Sequence, residues 1–202
     1  MLGTDKQAVR EFWERASCGE DLYLAGLGRE DYLAQASARY ELEPYIESFA
    51  DFAGSARRNV LEIGVGLGAD HQRFAQEGAV LSGIDLTARA VEHVQRRLAL
   101  FDLQSSLSKG DAENLRFANA TFDIVYSWGV IHHSPDTPSA VAEIHRVLRP
   151  GGVARVMIYH TWSLVGYMLW MRYALLRLRP WTSLAHIYSR YLESPGTKAY
   201  SV

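Results

Sequence analysis

The chain has 202 residues, of which 48% are hydrophobic and 22% charged, a composition typical of a folded globular protein and not of a disordered one. Lys and Arg number 21 against 23 Asp and Glu, so no charge excess directs the chain to nucleic acid or to an anionic membrane. A single cysteine, Cys18, excludes an intrachain disulfide and a cysteine-rich zinc cluster. The N-terminal segment does not resemble a signal peptide, and we expect a cytoplasmic protein.

Residues 1–55 are helix-prone and aromatic, and we predict that they form a helical cap within the same folding unit as the residues that follow. The aromatic residues are Phe12, Trp13, Tyr23, Tyr32, Tyr40, Tyr45, Phe49 and Phe52. Cys18, Tyr23, Tyr40 and Tyr45 are candidates for closing a substrate site. Core packing is the simpler explanation for each aromatic side chain.

From residue 56 to residue 160, short runs of branched residues alternate with helix-like segments, which predicts a parallel sheet between layers of helices. The predicted strands are residues 60–63, 80–84, 122–127 and 153–159. The predicted helices are residues 68–77, a helix capped by Thr87, and a helix from Thr137 to a stop at residues 150–152. The fold class is therefore α/β, a Rossmann-like, doubly wound and mainly parallel sheet.

Three glycines, Gly64, Gly66 and Gly68, lie between the first predicted strand and its helix. Without side chains there, the backbone can turn tightly and approach a ligand closely. The spacing from Gly64 to Ala69, with Asp85 about twenty residues on, also fits the dinucleotide fingerprint. An NAD(P)-dependent oxidoreductase is therefore one alternative, and the glycines alone do not decide the ligand.

The sequence around the glycines, from Val60 to Gly68, resembles the first motif of the class I S-adenosylmethionine-dependent methyltransferases. Four further motifs follow in the order of that family: Gly83-Ile84-Asp85-Leu86, Gly110-Asp111-Ala112-Glu113, Phe122-Asp123-Ile124-Val125 and Val147-Leu148-Arg149-Pro150-Gly151-Gly152. Glu62 supports the resemblance, because a carboxylate repels a pyrophosphate but suits a sulfonium cofactor without phosphate. The resemblance implies methyl transfer from S-adenosyl-L-methionine, with S-adenosyl-L-homocysteine as product.

The resemblance also implies roles for individual residues at the cofactor. Asp85 would accept hydrogen bonds from both ribose hydroxyls, as an ionised carboxylate can. Leu86 would stack against the adenine, and Asp111 would reach the adenine amino group beside the backbone of Ala112, in the turn that ends at Glu113. Alternatively, Asp111 binds the backbone of its own turn.

The strand predicted over residues 122–127 leads into Ser127, Trp128 and Gly129, where the methionine half of the cofactor would meet the substrate. His132 and His133 follow, in a stretch similar to small-molecule methyltransferases of the type-11 group. Either histidine is a candidate general base, because the nucleophile must lose a proton and imidazole has a suitable pKa. The alternative is that both only pack near the cofactor, since alignment and desolvation can suffice.

Tyr159 and His160 lie at the end of the last predicted strand, and with Cys18, Tyr23 and Tyr40 they are the candidate substrate contacts. No metal site is predicted, because no His-x-x-x-His pair and no compact carboxylate cluster lies near the site. The expected partner is a small molecule that offers an O, N, S or C nucleophile, and not a nucleic acid. A non-catalytic cofactor-binding module is a third functional alternative.

After Tyr159 the chain departs from the family, whose sheet ordinarily has seven strands. Residues 161–202 read as a C-terminal helix and tail, so we predict that the last two strands are missing and that an uncovered edge favours a homodimer. The longest apolar stretch, residues 162–171, is about half the ~20 residues needed to span a bilayer, so no stable membrane insertion is predicted for the helix-like segment 162–178. Contact with a lipid surface is the competing interpretation of this segment.

Overall fold

The computed structural model describes the backbone of residues 2–201 and the side chains of residues 6–201. Five strands form one sheet: β1 (Asn59–Ile63), β2 (Val80–Asp85), β3 (Ser106–Lys109), β4 (Phe122–Trp128) and β5 (Leu148–Met157). All adjacent strands are parallel, in the order β3-β2-β1-β4-β5. The predicted Rossmann-like α/β fold is confirmed.

Helices precede, connect and follow the strands. They are α1 (Leu2–Arg15), α2 (Glu20–Tyr23), α3 (Arg29–Leu42), α4 (Ile46–Ala50), α5 (Ala69–Gln76), α6 (Ala88–Leu100), α7 (Thr137–Val147), α8 (Leu164–Tyr173) and α9 (Leu184–Tyr191). Helix α5 joins β1 to β2, α6 joins β2 to β3, and α7 joins β4 to β5, because parallel strands require crossover connections.

The core has one layer on each face of the sheet, since successive strand residues point to opposite faces. One layer consists of Ile46, Ala50, Phe52, Val60, Phe74, Leu81, Ile124 and Tyr126. The other contains Leu61, Ile63, Ile84, Val125, Ile131, Ala140, Ile144 and Val147. The first layer joins the cap to the sheet, and the second seats α7 against it.

The structure corrects several predicted element boundaries. Strand β3 was not predicted, because Ser106–Lys109 is mostly exposed and lacks β-branched residues. Strand β5 begins at Leu148, so residues 150–152 lie in an edge strand instead of stopping a helix; an edge strand tolerates proline. The segment predicted as one helix over residues 162–178 ends as α8 at Tyr173, and α9 was not predicted.

Strand β5 is an edge of the sheet, and no strand among residues 2–201 pairs with its outer side. The described residues thus supply five of the seven strands of the family fold. The predicted homodimer through this edge and the predicted division of the chain after residues 55 and 160 stay predictions.

Candidate functional site

A cavity of about 330 Å³ lies beyond the carboxyl ends of β1 and β4. The order β3-β2-β1-β4-β5 reverses direction between these two strands, and open α/β sheets bind their ligands at such a point. Side chains from α1, α3 and the residues after α9 form the outer walls. The cap and the C-terminal segment therefore close a site that the sheet opens.

The floor of the cavity is the glycine turn, in which Gly64, Gly66 and Gly68 all have positive φ. A Cβ added at Gly64 would lie 2.2 Å from a Val130 methyl carbon, whereas a Cβ at Gly66 would meet no atom within 4 Å. Gly64 is therefore required by close packing. Gly66 faces open space, which leaves room for a ligand against the backbone.

Asp85 lies beside the turn, at the end of β2. Its Oδ1 accepts hydrogen bonds from Thr87 N at 3.0 Å and Thr87 Oγ1 at 2.7 Å, and its Oδ2 accepts one from Gly66 N at 3.3 Å. Burial raises the pKa of Asp85, against the effect of these bonds. Since a carboxylate has about four acceptor positions, one position remains for a ligand hydroxyl.

Glu62, near the end of β1, is buried and lines the cavity. Its Oε2 lies 2.8 Å from His71 Nδ1, and His71 Nε2 lies 2.7 Å from Ser105 Oγ. Burial lowers the pKa of His71 to about 3. Neutral His71 can therefore donate to Glu62 and accept from Ser105. Burial, followed by the charge of Asp70, raises the pKa of Glu62 well above its usual range, so a cationic ligand group would stabilise its ionised form.

Asp111 and Ala112 line the adjoining part of the cavity, near Leu86. Asp111 Oδ1 accepts from Glu113 N at 2.9 Å, and Oδ2 accepts from Lys6 Nζ at 2.6 Å. The first bond is the one expected from the alternative interpretation, in which Asp111 binds the backbone of its own turn. The same carboxylate still reaches the cavity, where Lys6 of the cap now lies across it.

A cluster of polar side chains forms another part of the cavity wall. His133 Nε2 lies 3.2 Å from Glu193 Oε2, and Tyr159 Oη donates to Glu193 Oε1 at 2.8 Å. His133 Nδ1 lies 2.8 Å from Ser194 Oγ and 3.0 Å from Thr197 Oγ1. His133, Tyr159 and Glu193 all line the cavity. The cluster can therefore orient a protic ligand group and accept its proton.

His132 differs from its neighbour, because it is completely buried and does not line the cavity. Neither of its ring nitrogens has a hydrogen-bond partner within the described part of the chain. Its ring packs 4.0 Å from Tyr159 and 4.2 Å from His133. Burial, followed by the charge of His133, lowers the pKa of His132 to about 3. Of the two candidate bases, only His133 can touch a ligand in the cavity.

The ligand atoms of His132, His133 and Glu193 lie within 4.8 Å of one another, a grouping that could hold a metal ion. Sequence spacing did not indicate it, because Glu193 is about sixty residues away. The predicted absence of a metal site stays a prediction.

Some of the candidate residues line the cavity and others do not. Those that line the cavity are Cys18, Glu62, Gly64, Gly66, Gly68, Asp85, Leu86, Asp111, Ala112, Trp128, Gly129, His133 and Tyr159. Those that do not are Tyr23, Tyr40, Glu113, Ser127, His132 and His160. Tyr23 and His160 are exposed and Ser127 is buried. Tyr40 donates to Asp70 at 3.1 Å. The Glu113 carboxylate accepts from Ser134 Oγ and Asp136 N, so it holds a loop instead of facing the cavity.

Among the residues of the cavity wall that the sequence analysis missed, three make contacts between distant parts of the chain. Arg39 of α3 donates to both carboxylate oxygens of Asp70, at 2.7 and 3.1 Å, and so ties the cap to the start of α5. Trp13 packs edge-on against His133, with ring centroids 5.4 Å apart. Glu193 arrives from beyond α9. No local motif marks these residues, because each contact joins distant parts of the chain.

Comparisons with known proteins agree with this geometry. Residues 61–156 match the family model described as a methyltransferase domain. The chain is 39% identical over 97 residues to a phthiotriol/phenolphthiotriol dimycocerosates methyltransferase from Mycobacterium leprae, covering 47% of this chain and 35% of that protein. It is 33% identical over 126 residues to a ubiquinone biosynthesis O-methyltransferase from Aromatoleum aromaticum, covering 60% and 53%.

A solved structure shares the fold. The S-adenosylmethionine-dependent methyltransferase from Mesorhizobium loti superposes with a TM-score of 0.53 at 21% identity, covering 62% of this chain and 56% of that one. The chain spans about a third and about a half of the lengths of the two curated relatives.

Proposed function

Through residues 61–156 the chain belongs to the class I S-adenosylmethionine-dependent methyltransferases, and on this premise we propose that its cavity binds S-adenosyl-L-methionine. We further propose that the protein transfers the methyl group to a small-molecule nucleophile. The activity of the whole protein and its acceptor are part of the proposal.

The observation that carries the proposal is the acidic lining of the cavity. Six carboxylates line it: Glu43, Glu62, Asp70, Asp85, Asp111 and Glu193. The two lining cations are already paired, Lys6 with Asp111 and Arg39 with Asp70. This excess of acidic groups over cations would complement a sulfonium and an ammonium group, which stabilise the ionised carboxylates, and would disfavour a pyrophosphate. It therefore favours S-adenosyl-L-methionine over a dinucleotide.

The residues present fit this cofactor. Glu62 would take the amino group, and the open acceptor position of Asp85 would take a ribose hydroxyl. The space over Gly66 is a cradle that a Cβ would fill. Leu86, Asp111 and Ala112 would surround the adenine. When bound, the cofactor supplies an electrophilic methyl group on a positively charged sulfur.

The acceptor would lie at the other end of the cavity, between Trp13, Met157 and Tyr159. These walls suit an apolar molecule, and the His133–Glu193 pair offers the polar contact. The two curated relatives are named for phthiotriol/phenolphthiotriol dimycocerosates and for ubiquinone biosynthesis, which supports an acceptor with an apolar body and one protic group.

In the proposed reaction, the bond between sulfur and the methyl carbon breaks as the bond between the acceptor atom and that carbon forms. The His133–Glu193 pair would take the proton that the acceptor loses. Ser194 and Thr197 fix the His133 ring, and Tyr159 fixes Glu193. Trp13 and Tyr159 exclude water from this end, so alignment and desolvation also contribute.

Titration calorimetry tests the cofactor proposal. We expect the protein to bind S-adenosyl-L-methionine and S-adenosyl-L-homocysteine and not NADH. Glu62→Gln should weaken binding of S-adenosyl-L-methionine by about tenfold to a hundredfold, because a charged hydrogen bond contributes about 1.5–3 kcal/mol. The control Glu92→Gln, on the exposed side of α6, should bind like the unaltered protein. Binding of NADH with neither sulfur compound bound would overturn the proposal.

A further inference from the structure

The α8–α9 segment carries a large exposed apolar surface. Its exposed side chains are Trp162, Leu164, Val165, Tyr167, Met168, Met171, Leu175, Leu176, Leu178 and Trp181. Four of them exceed 70% exposure: Leu164, Leu176, Leu178 and Trp181. Single exposed apolar residues are normal, but a contiguous group marks an interaction site. We call these ten residues the apolar surface.

The spacing of the residues aligns much of the apolar surface on one side of α8. Leu164, Met168 and Met171 follow one another at intervals of four and three residues, which places them on one face of α8. Arg172 is four residues after Met168 and so borders the same face. The chain then turns through the exposed residues 176–181, which extend the apolar surface beyond the helix.

The charged side chains within the segment have one sign of charge. Residues 161–192 include four arginines, Arg172, Arg177, Arg179 and Arg190, and no Asp or Glu, although the whole chain has a net charge of −2. All four arginines are exposed, and none forms an ion pair with another described residue. The segment therefore presents free positive charge next to exposed Trp, Leu and Met side chains.

The inner side of the segment is packed, so its outer side has a defined shape. Gly166 approaches Tyr188 so closely that a Cβ would lie 1.7 Å from its hydroxyl. Trp170 Nε1 donates to Thr182 O at 2.9 Å, and the rings of Tyr173 and Tyr191 stack 4.0 Å apart. Helices α8 and α9 thus form a hairpin that turns its apolar surface outward.

The hairpin is joined at both ends to the candidate site. Tyr159 precedes it and Glu193 follows it, both line the cavity, and they are hydrogen-bonded to each other. The two ends of the hairpin therefore adjoin the proposed acceptor site in the cavity.

We propose that the apolar surface and its four arginines dock the protein on a membrane that contains anionic phospholipids. Trp and Leu side chains would enter the headgroup boundary, and the arginines would contact lipid phosphates. Among residues 2–201 no helix is long and apolar enough to cross a bilayer. The free positive charge selects this partner, since an apolar face alone would suit any apolar partner. Docking would bring an apolar acceptor from the membrane to the cavity, a consequence that rests on the proposed function.

Vesicle co-flotation of the full chain tests the docking without cofactor or turnover. We expect binding to vesicles of equal parts phosphatidylcholine and phosphatidylglycerol, weaker binding at high salt, and little binding to pure phosphatidylcholine. The double variant Arg177→Gln/Arg179→Gln should lower the partition coefficient by about tenfold to thirtyfold, at about 1 kcal/mol for each charge. Leu176→Ser/Leu178→Ser should lower it to a similar extent.

Matched controls lie elsewhere on the surface. Arg116→Gln removes an exposed arginine and Leu22→Ser an exposed leucine outside the hairpin, and both should bind like the unaltered protein. Circular dichroism should show that every variant is folded. The proposal is overturned if mixed vesicles do not float the protein or if the hairpin and control variants bind equally. It is also overturned if light scattering shows a dimer that Leu176→Ser/Leu178→Ser dissociates while vesicles stay unbound. Because the measurement uses no S-adenosyl-L-methionine, failure of methyl transfer would not mimic any of these results.

Discussion

Tyr159 Oη donates a 2.8 Å hydrogen bond to Glu193 Oε1, and this bond joins the residues on either side of the α8–α9 hairpin. The chain after the hairpin continues along the site. Lys198 N donates to His132 O at 3.1 Å, and Tyr200 N donates to Tyr159 O at 2.9 Å. The C-terminal segment therefore packs against the site and, through Glu193, supplies a candidate proton acceptor, where the sequence indicated only a helix and a tail.

The glycine turn gives a matched set of predictions. Gly66 and Gly78 both have positive φ and open space where a Cβ would lie, so alanine at either should cost about 1–2 kcal/mol of unfolding free energy. Only Gly66→Ala should also abolish binding of S-adenosyl-L-methionine, because only Gly66 lines the cavity. Gly64→Ala should cost about 2–5 kcal/mol, since its Cβ also collides with Val130.

Urea unfolding and calorimetry on the three alanine variants check this set. Equal cofactor binding by Gly66→Ala and Gly78→Ala would show that the cofactor does not lie over Gly66.

The buried His132 ring should make the stability of the protein depend on pH. Its pKa of about 3 in the folded protein is below the usual 6.5, so the unfolded chain binds the extra proton between these values. The unfolding free energy is therefore unaffected by the titration of His132 above pH 6.5, and it decreases as the pH falls from 6.5 toward 3. His132→Phe keeps the ring stacking but cannot titrate. Between neutral pH and about pH 5, its unfolding free energy should therefore decrease by about 2 kcal/mol less than that of the unaltered protein. It should also gain about 1 kcal/mol at neutral pH, because two unpartnered buried nitrogens disappear.

Urea unfolding across this pH range compares His132→Phe with His186→Gln, a change at an exposed residue of α9. An unaltered acid dependence in His132→Phe would refute the assignment.

The buried Arg97 side chain joins the cap to the glycine turn, and we predict that this connection stabilises the folded protein. Its guanidinium is fully buried and donates to Leu67 O, Tyr32 O, and the side-chain oxygens of Gln35 and Gln72, at 2.7–2.9 Å. Arg97→Lys should lower the unfolding free energy by about 2–3 kcal/mol, because an ammonium cannot reach all four oxygens.

The control is Arg96→Lys, one residue earlier and exposed, which should change stability by less than about 0.5 kcal/mol. Arg97→Lys should also bind S-adenosyl-L-methionine several times more weakly, since Leu67 lies in the turn. Equal unfolding free energies for the two lysine variants would contradict this role.

The sequence predicted the centre of the fold better than its ends. Val60–Ile63 and the Thr87 cap have local signals, branched residues in a strand and a hydroxyl before a helix, and both were located correctly. Strand β3 has no such signal, since Ser106 and Ser108 are held only by pairing with β2. The α8–α9 turn depends on Gly166 meeting Tyr188, a contact between residues far apart in the chain.

The residues of the site likewise include some that local motifs identify and some that only the structure reveals. Gly64, Glu62 and Asp85 occur in motifs and were identified from the sequence. Arg39 and Glu193 reach the cavity only through tertiary packing, and motif spacing contains no information about them. The predicted cytoplasmic location depends on composition alone and stays a prediction.

The most direct test of the account is transfer of a tritium-labelled methyl group from S-adenosyl-L-methionine to a panel of phenols, alcohols and amines that carry long apolar chains. We predict label in the organic phase in amounts equal to the S-adenosyl-L-homocysteine formed, and a large loss of transfer in Glu193→Gln with cofactor binding unchanged. Cofactor binding with no label transferred to any member of the panel would contradict the account and favour a non-catalytic cofactor-binding module.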